Sequence, residues 1–148
     1  MKVYRFLVLF FVLLVFLFSS LGISNAEAQG YCWDVVFGGE PKGVLKLMVV
    51  PIGDGYYFVQ GRPLTMNQYG PFFTGSAQVV GTQIIMTLNA THSDSPGPMR
   101  DGGFYQVILD PTTLNGTAWA VGITYLLPPY DKFSNDYSEG TLTYTTCP

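Results

Sequence analysis

The chain reads as all-β: one small antiparallel eight-stranded up-and-down β-barrel. Three observations predict it. From residue 31 onward, short runs of β-branched and aromatic residues recur, with glycine, proline, asparagine or aspartate between them. Within the clearest runs apolar and polar side chains alternate with a period of two, the period of a strand with one buried face. The two cysteines, Cys32 and Cys147, stand at opposite ends of the patterned region, where the first and last strands of a closed meander meet. A β-sandwich whose terminal strands are neighbours is the alternative.

The elements follow in order. Residues 1–28 stand outside the fold. Lys2 and Arg5 precede an unbroken apolar run from Phe6 to Phe18, and small and polar residues follow, ending in Ala26-Glu27-Ala28. That is the charge, apolar core and A-x-A order of a signal peptide, with an apolar core well short of the roughly 20 residues a membrane span needs. The expectation is a helical signal peptide over residues 1–28 and an exported domain over 29–148, secreted or periplasmic. A lipid-modified cysteine is disfavoured, because bulky Tyr31 precedes Cys32.

Eight runs then read as strands: Tyr31–Phe37, Val44–Val50, Tyr56–Gly61, Phe72–Val80, Gln83–Ala90, Gly103–Leu109, Thr117–Tyr125 and Gly140–Cys147. Turn chemistry separates them at Gly38-Gly39, Gly53-Asp54-Gly55, Gly81-Thr82, Asp110-Pro111 and Asn115-Gly116. In the fifth run Ile84, Met86 and Leu88 form the inward set. In the seventh, Trp119, Val121 and Ile123 are assigned inward against Ala118, Ala120 and Gly122. In the last, Leu142 and Tyr144 oppose Thr141, Thr143 and Thr145.

If the meander closes, the start of the first strand lies beside the end of the eighth. Cys32 shares a face with Asp34 and Val36, and Cys147 shares one with Thr145 and Thr143. Both belong to the polar sets, so a disulfide across the seam on the outer face fits both patterns. Loop lengths add a second regularity. One end receives the short connections 51–55, 81–82 and 110–116 with both termini. The other receives 38–43, 62–71, 91–102 and 126–138, which makes it a loop-crowned mouth, the usual place for binding.

Two groups of aromatic and basic residues are the binding candidates. Trp33, Tyr57, Tyr105, Trp119 and Tyr144 are expected inside, where an eight-stranded barrel is just wide enough to be filled or to hold one small ligand. At the mouth, Tyr69, Phe72, Tyr130, Phe133 and Tyr137 with Arg62, Arg100 and Lys132 offer the residue types that anchor ligands and partners.

Composition excludes other chemistry. From residue 29 onward five basic residues (Lys42, Lys46, Arg62, Arg100, Lys132) face nine acidic ones (Asp34, Glu40, Asp54, Asp94, Asp101, Asp110, Asp131, Asp136, Glu139), a net charge of −4. Nucleic acid, which needs a basic face, is not an expected partner. His92 is the only histidine, too few nitrogen ligands for zinc when both cysteines are bridged. Asp54 and Asp101 lie in Gly-Asp-Gly and Arg-Asp-Gly turns that lack the oxygen-rich spacing of a calcium loop. No metal site, catalytic set or cofactor is expected. Asn89-Ala-Thr91 and Asn115-Gly-Thr117 match the glycosylation sequon, a pattern short enough to arise by chance, and Asn115 already has a turn to explain it.

In architecture this arrangement resembles lipocalins, avidins and small barrel-type protease inhibitors. The resemblance is one of shape; Gly30 and Trp33 do not have the spacing of the lipocalin Gly-x-Trp signature, and no family residue carries over. It implies a non-enzymatic extracytoplasmic binding protein that takes a small apolar molecule or another extracytoplasmic protein at its mouth. Two alternatives stand beside it. An eight-stranded outer-membrane barrel would turn the apolar face to lipid, but runs of about 7–9 residues are short for it. A secreted enzyme would use mouth carboxylates or His92.

Overall fold

The computed structural model describes residues 27–64, 70–91, 99–126, 128–129 and 131–148, with only the backbone described at 99–101. The expected signal peptide lies outside the described residues up to position 26, as do His92, Asp94, Tyr69 and Tyr130.

Eight strands account for most of the described chain: β1 (Gln29–Phe37), β2 (Glu40–Gly53), β3 (Tyr56–Pro63), β4 (Phe72–Val80), β5 (Gln83–Thr91), β6 (Met99–Leu109), β7 (Gly116–Leu126) and β8 (Lys132–Thr145). Each pairs antiparallel with its sequence neighbours, and β1 pairs with β8, so the order closes into a barrel. Closure removes the sandwich alternative. At the seam Trp33 stands opposite Tyr144 and Val35 opposite Leu142. A disulfide joins Cys32 to Cys147 there, with Cα atoms 5.2 Å apart. It closes a loop with a sequence separation of 115, for which chain entropy gives about 4–5 kcal/mol as an upper figure. A bridged pair is consistent with an oxidising, extracytoplasmic compartment.

The apolar residues of the alternating runs point inward. Trp33, Leu47, Val59, Met86, Leu88 and Leu109 are all at most 2 % exposed. Burying each such side chain stabilises the fold by about 1.5–3 kcal/mol relative to exposure. The sheet bends tightly at inward-facing glycines. A Cβ on Gly75 would fall 1.9 Å from the Thr87 carbonyl oxygen, and one on Gly61 equally close to that of Lys46. Only a residue without a side chain lets neighbouring strands approach so closely at a barrel corner.

The end that carries the termini is plugged. The connection between β6 and β7 folds under the barrel, and Trp33 Nε1 donates to the Leu114 carbonyl at 2.7 Å. Asp110 shapes this loop. Its carboxylate accepts from the Thr112 and Thr113 amides and the Thr113 hydroxyl, and those amides hold its carboxyl below the usual range. Asn115 ties the loop to the seam by accepting the Tyr144 amide at 2.7 Å.

Two expectations need correction. In β7 the faces are reversed: Ala118 and Ala120 are buried, while Trp119, Val121, Ile123 and Tyr125 lie on the outside. Register dictates this, because Ala118 is opposite inward Val107 and Ala120 opposite inward Tyr105. Bulk on the neighbouring strand leaves room only for the small set. The loops at 38–43 and 126–138 are also mostly strand. Gly38-Gly39 alone turns β1 into β2, and β7 and β8 run to Leu126 and from Lys132. β2 and β8 reach 14 residues each, well past the expected 7–9.

Candidate functional site: a cavity at the mouth

The interior divides into two unequal spaces. The larger, about 280 Å³, lies at the mouth end, away from the termini. All eight strands contribute walls: Val35 and Phe37 from β1, Lys42, Gly43 and Leu45 from β2, Pro63 from β3, Phe73 from β4, Leu88 from β5. Tyr105 and Val107 from β6, Ala118 and Ala120 from β7, and Ser138 and Leu142 from β8 complete the ring, with Pro71 above it. The space therefore sits on the barrel axis.

Its origin is visible in the residue sizes. An eight-stranded barrel interior is normally filled by side chains. Here β7 and β8 supply only Ala118, Ala120 and Ser138 beside Leu142 to the mouth half, and these small side chains leave space on the axis. Facing them is an aromatic cluster. Tyr105 meets Phe73 at a centroid distance of 5.2 Å and Phe37 at 5.9 Å, both edge to face, a geometry worth about 0.5–1.5 kcal/mol per pair. The Tyr105 ring leans back over Gly103, where an added Cβ would come within 2.8 Å of it.

Polar groups at the cavity are few. Burial pushes the Tyr105 hydroxyl above its ordinary pKa, favouring the neutral phenol. Lys42 reaches the rim, where its ammonium is bonded to the Glu40 carboxylate at 2.8 Å. That pair holds Glu40 below the usual carboxylate range and neutralises Lys42. The cavity thus presents an apolar wall, two hydroxyl-bearing side chains and no net charge.

The smaller space, about 140 Å³, lies toward the plugged end between Tyr31, Trp33, Tyr57, Met86, Leu109 and Leu114. Tyr31, Trp33 and Tyr144 cluster there with centroids 6.0–6.4 Å apart. Trp33 is buried in this cluster, whereas Tyr144, expected inside, is 44 % exposed at the seam.

The expected binding residues therefore separate. Tyr105 lines the mouth cavity. Trp33 and Tyr57 belong to the plugged end. Trp119 stands on the outer face with Val36, Thr117 and Thr141, which overturns its interior placement. Arg62 is exposed beside outward Lys46, across from it in register, and Phe133 is exposed on the outer face of β8. Arg100 sits on β6 opposite Tyr125, its side chain outside the described residues; Tyr69 and Tyr130 are outside them altogether. What the sequence reading missed is the aliphatic and small lining. Its signal was weak: a run of small residues, Ala118, Ala120 and Gly122, on one face of a strand.

Among the described residues no group of His, Cys, Asp and Glu side chains is placed to hold a metal ion. The chain matches no protein-family model, no curated protein and no solved structure.

Proposed function

We propose that this protein is a non-enzymatic extracytoplasmic binder of a small, uncharged, predominantly apolar molecule, secreted or periplasmic, held in the mouth cavity. The observation that carries this reading is the unfilled space of about 280 Å³ on the barrel axis, in the half away from the termini and walled by apolar side chains of the described residues. A volume at the lower edge of the usual range for small-molecule pockets favours a ligand of one or two rings or a short chain. The lining is apolar apart from Lys42 at the rim, which is paired with Glu40, and the Tyr105 and Ser138 hydroxyls offer one or two directional hydrogen bonds.

The arrangement of faces speaks for a water-soluble barrel over a membrane one. Apolar side chains line the interior, and Asp34, Lys46, Gln60, Arg62, Thr74 and Asn89 stand on the outer faces of β1 to β5. The outer faces of β6 to β8 are more apolar, with Phe104, Val121, Ile123 and Phe133 exposed. An outer-membrane barrel has a polar interior, and the apolar interior here is the feature that speaks against one.

Calorimetric titration with 2-naphthol tests the reading. Saturable binding of one probe per chain is expected, weakened at least tenfold in Ala120→Phe, whose ring would occupy the space opposite Tyr105. Absence of binding to the wild type by this and by short alkanols, or equal binding to the variant, contradicts it.

A further inference from the structure

β8 continues past the barrel rim. β1 accompanies it only as far as Phe37 opposite Gly140, and the Gly38 amide donating to the Glu139 carbonyl at 3.1 Å ends that seam. From Lys132 to Ser138 the strand pairs with β7 on one side. Among the described residues nothing pairs with its other side. Both faces of this stretch are open as well, with Lys132 to Tyr137 all exposed. A bare edge of this kind is a template for another strand.

The hydrophobic sense of the sheet also inverts here. Below the rim apolar residues face in; above it they face out. Phe104, Val121 and Tyr137 form one row across three strands and are 50 %, 40 % and 63 % exposed. Next to them Tyr125 stands opposite Phe133, which is 66 % exposed. The inner face of the same stretch carries Ser134, Asp136 and Ser138. An apolar patch continuous over three strands marks an interaction surface.

We infer that this edge joins a second copy of the chain, β8 to β8, antiparallel about a two-fold axis through Asn135. The edge is self-complementary in that register. Phe133 of each copy meets Tyr137 of the other on the outer face, making two aromatic cross-strand pairs. On the inner face Ser134 meets Asp136, and Lys132 meets Ser138 with Asp136 of the second copy on its diagonal. No paired position between Lys132 and Ser138 sets like charges directly opposite. Other registers lose this. Moving the centre to Asp136 sets two carboxylates face to face. Moving it to Ser134 pairs Phe133 with Asn135 and dissolves both aromatic contacts. An odd shift turns the apolar set to the wrong face. The occupant that best matches this edge is therefore the edge itself.

Sedimentation velocity of the intact, disulfide-bonded protein at micromolar concentration tests this, alongside two variants. The wild type is expected to sediment as two chains, and the double variant Phe133→Lys/Tyr137→Lys as one chain with an unchanged melting temperature. Asn135→Cys is expected to cross-link to itself under mild oxidation, whereas Phe133→Cys alone is not, because its neighbour across the axis is Tyr137. A single-chain wild type overturns the proposal, whether or not that monomer binds lipid vesicles or an extended peptide. So does a dimer that survives the double lysine variant, or one in which Asn135→Cys stays uncross-linked.

Discussion

Tyr105 brings together the features on which the proposed binding site rests. Its ring packs edge to face against Phe37 and Phe73, and its hydroxyl is pushed above its ordinary pKa by burial. The consequence for stability has a definite sign. A group whose folded pKa exceeds its unfolded value contributes fully below the unfolded value, near 10 for tyrosine, and loses that contribution as pH rises. Above about pH 10 the unfolded chain gains charge at Tyr105 while the folded one resists it, so folding weakens. Thermal melts between pH 9 and pH 11 are therefore expected to fall more steeply for the wild type than for Tyr105→Phe. Equal slopes would mean that the phenol is solvated like a surface tyrosine. At this scale the sequence was partly legible. Trp33 and Leu88 declared their burial by alternation with polar neighbours. Trp119 did not, because both faces of β7 are apolar and only the bulk of Val107 and Tyr105 on β6 decides which one turns in.

Strands, turns and faces were the most readable level, since the period of two and the glycine turns act locally. The bends that close the barrel were not readable, because they depend on how near two backbones come. Gly75 is the sharpest case. It lies in β4 between Val59 and Leu88, and an added Cβ would sit 1.9 Å from the Thr87 carbonyl oxygen. Backbone rather than a flexible side chain would have to yield, so Gly75→Ala is expected to destabilise the protein by about 2 kcal/mol or more. Chemical denaturation checks it; a loss under about 0.5 kcal/mol, the range of a neutral surface change, would contradict the tight corner. The extension of β8 escaped notice for a different reason. Residues 132–137 have water on both faces, and only Phe133 and Tyr137 are apolar there, too sparse a pattern to mark them as strand.

Across the whole molecule the two ends of the barrel have different work. The end carrying the termini is clasped by the Cys32–Cys147 bridge and plugged by the loop from Asp110 to Asn115. Among the described residues the other is the emptier, with small residues on β7 and β8 opposite aromatics on β1, β4 and β6. That polarity was legible from the positions of the cysteines, whereas two of the connections read as gathering at the mouth, 38–43 and 126–138, are mostly strand. The cavity itself was not, because a void is made by residues that are too small for their place, and size alone does not say what faces them across an axis. The central claim is that this void takes a small apolar molecule from the mouth. Amide chemical-shift mapping of the labelled protein with 2-naphthol tests it most directly. Shifts are expected to gather at Phe37, Leu45, Phe73, Leu88 and Tyr105, leaving Val49, Tyr57, Ile84 and Leu114 at the plugged end unmoved. Shifts confined to the outer aromatics Phe104, Val121 and Tyr137, or none at saturating probe, would contradict the claim.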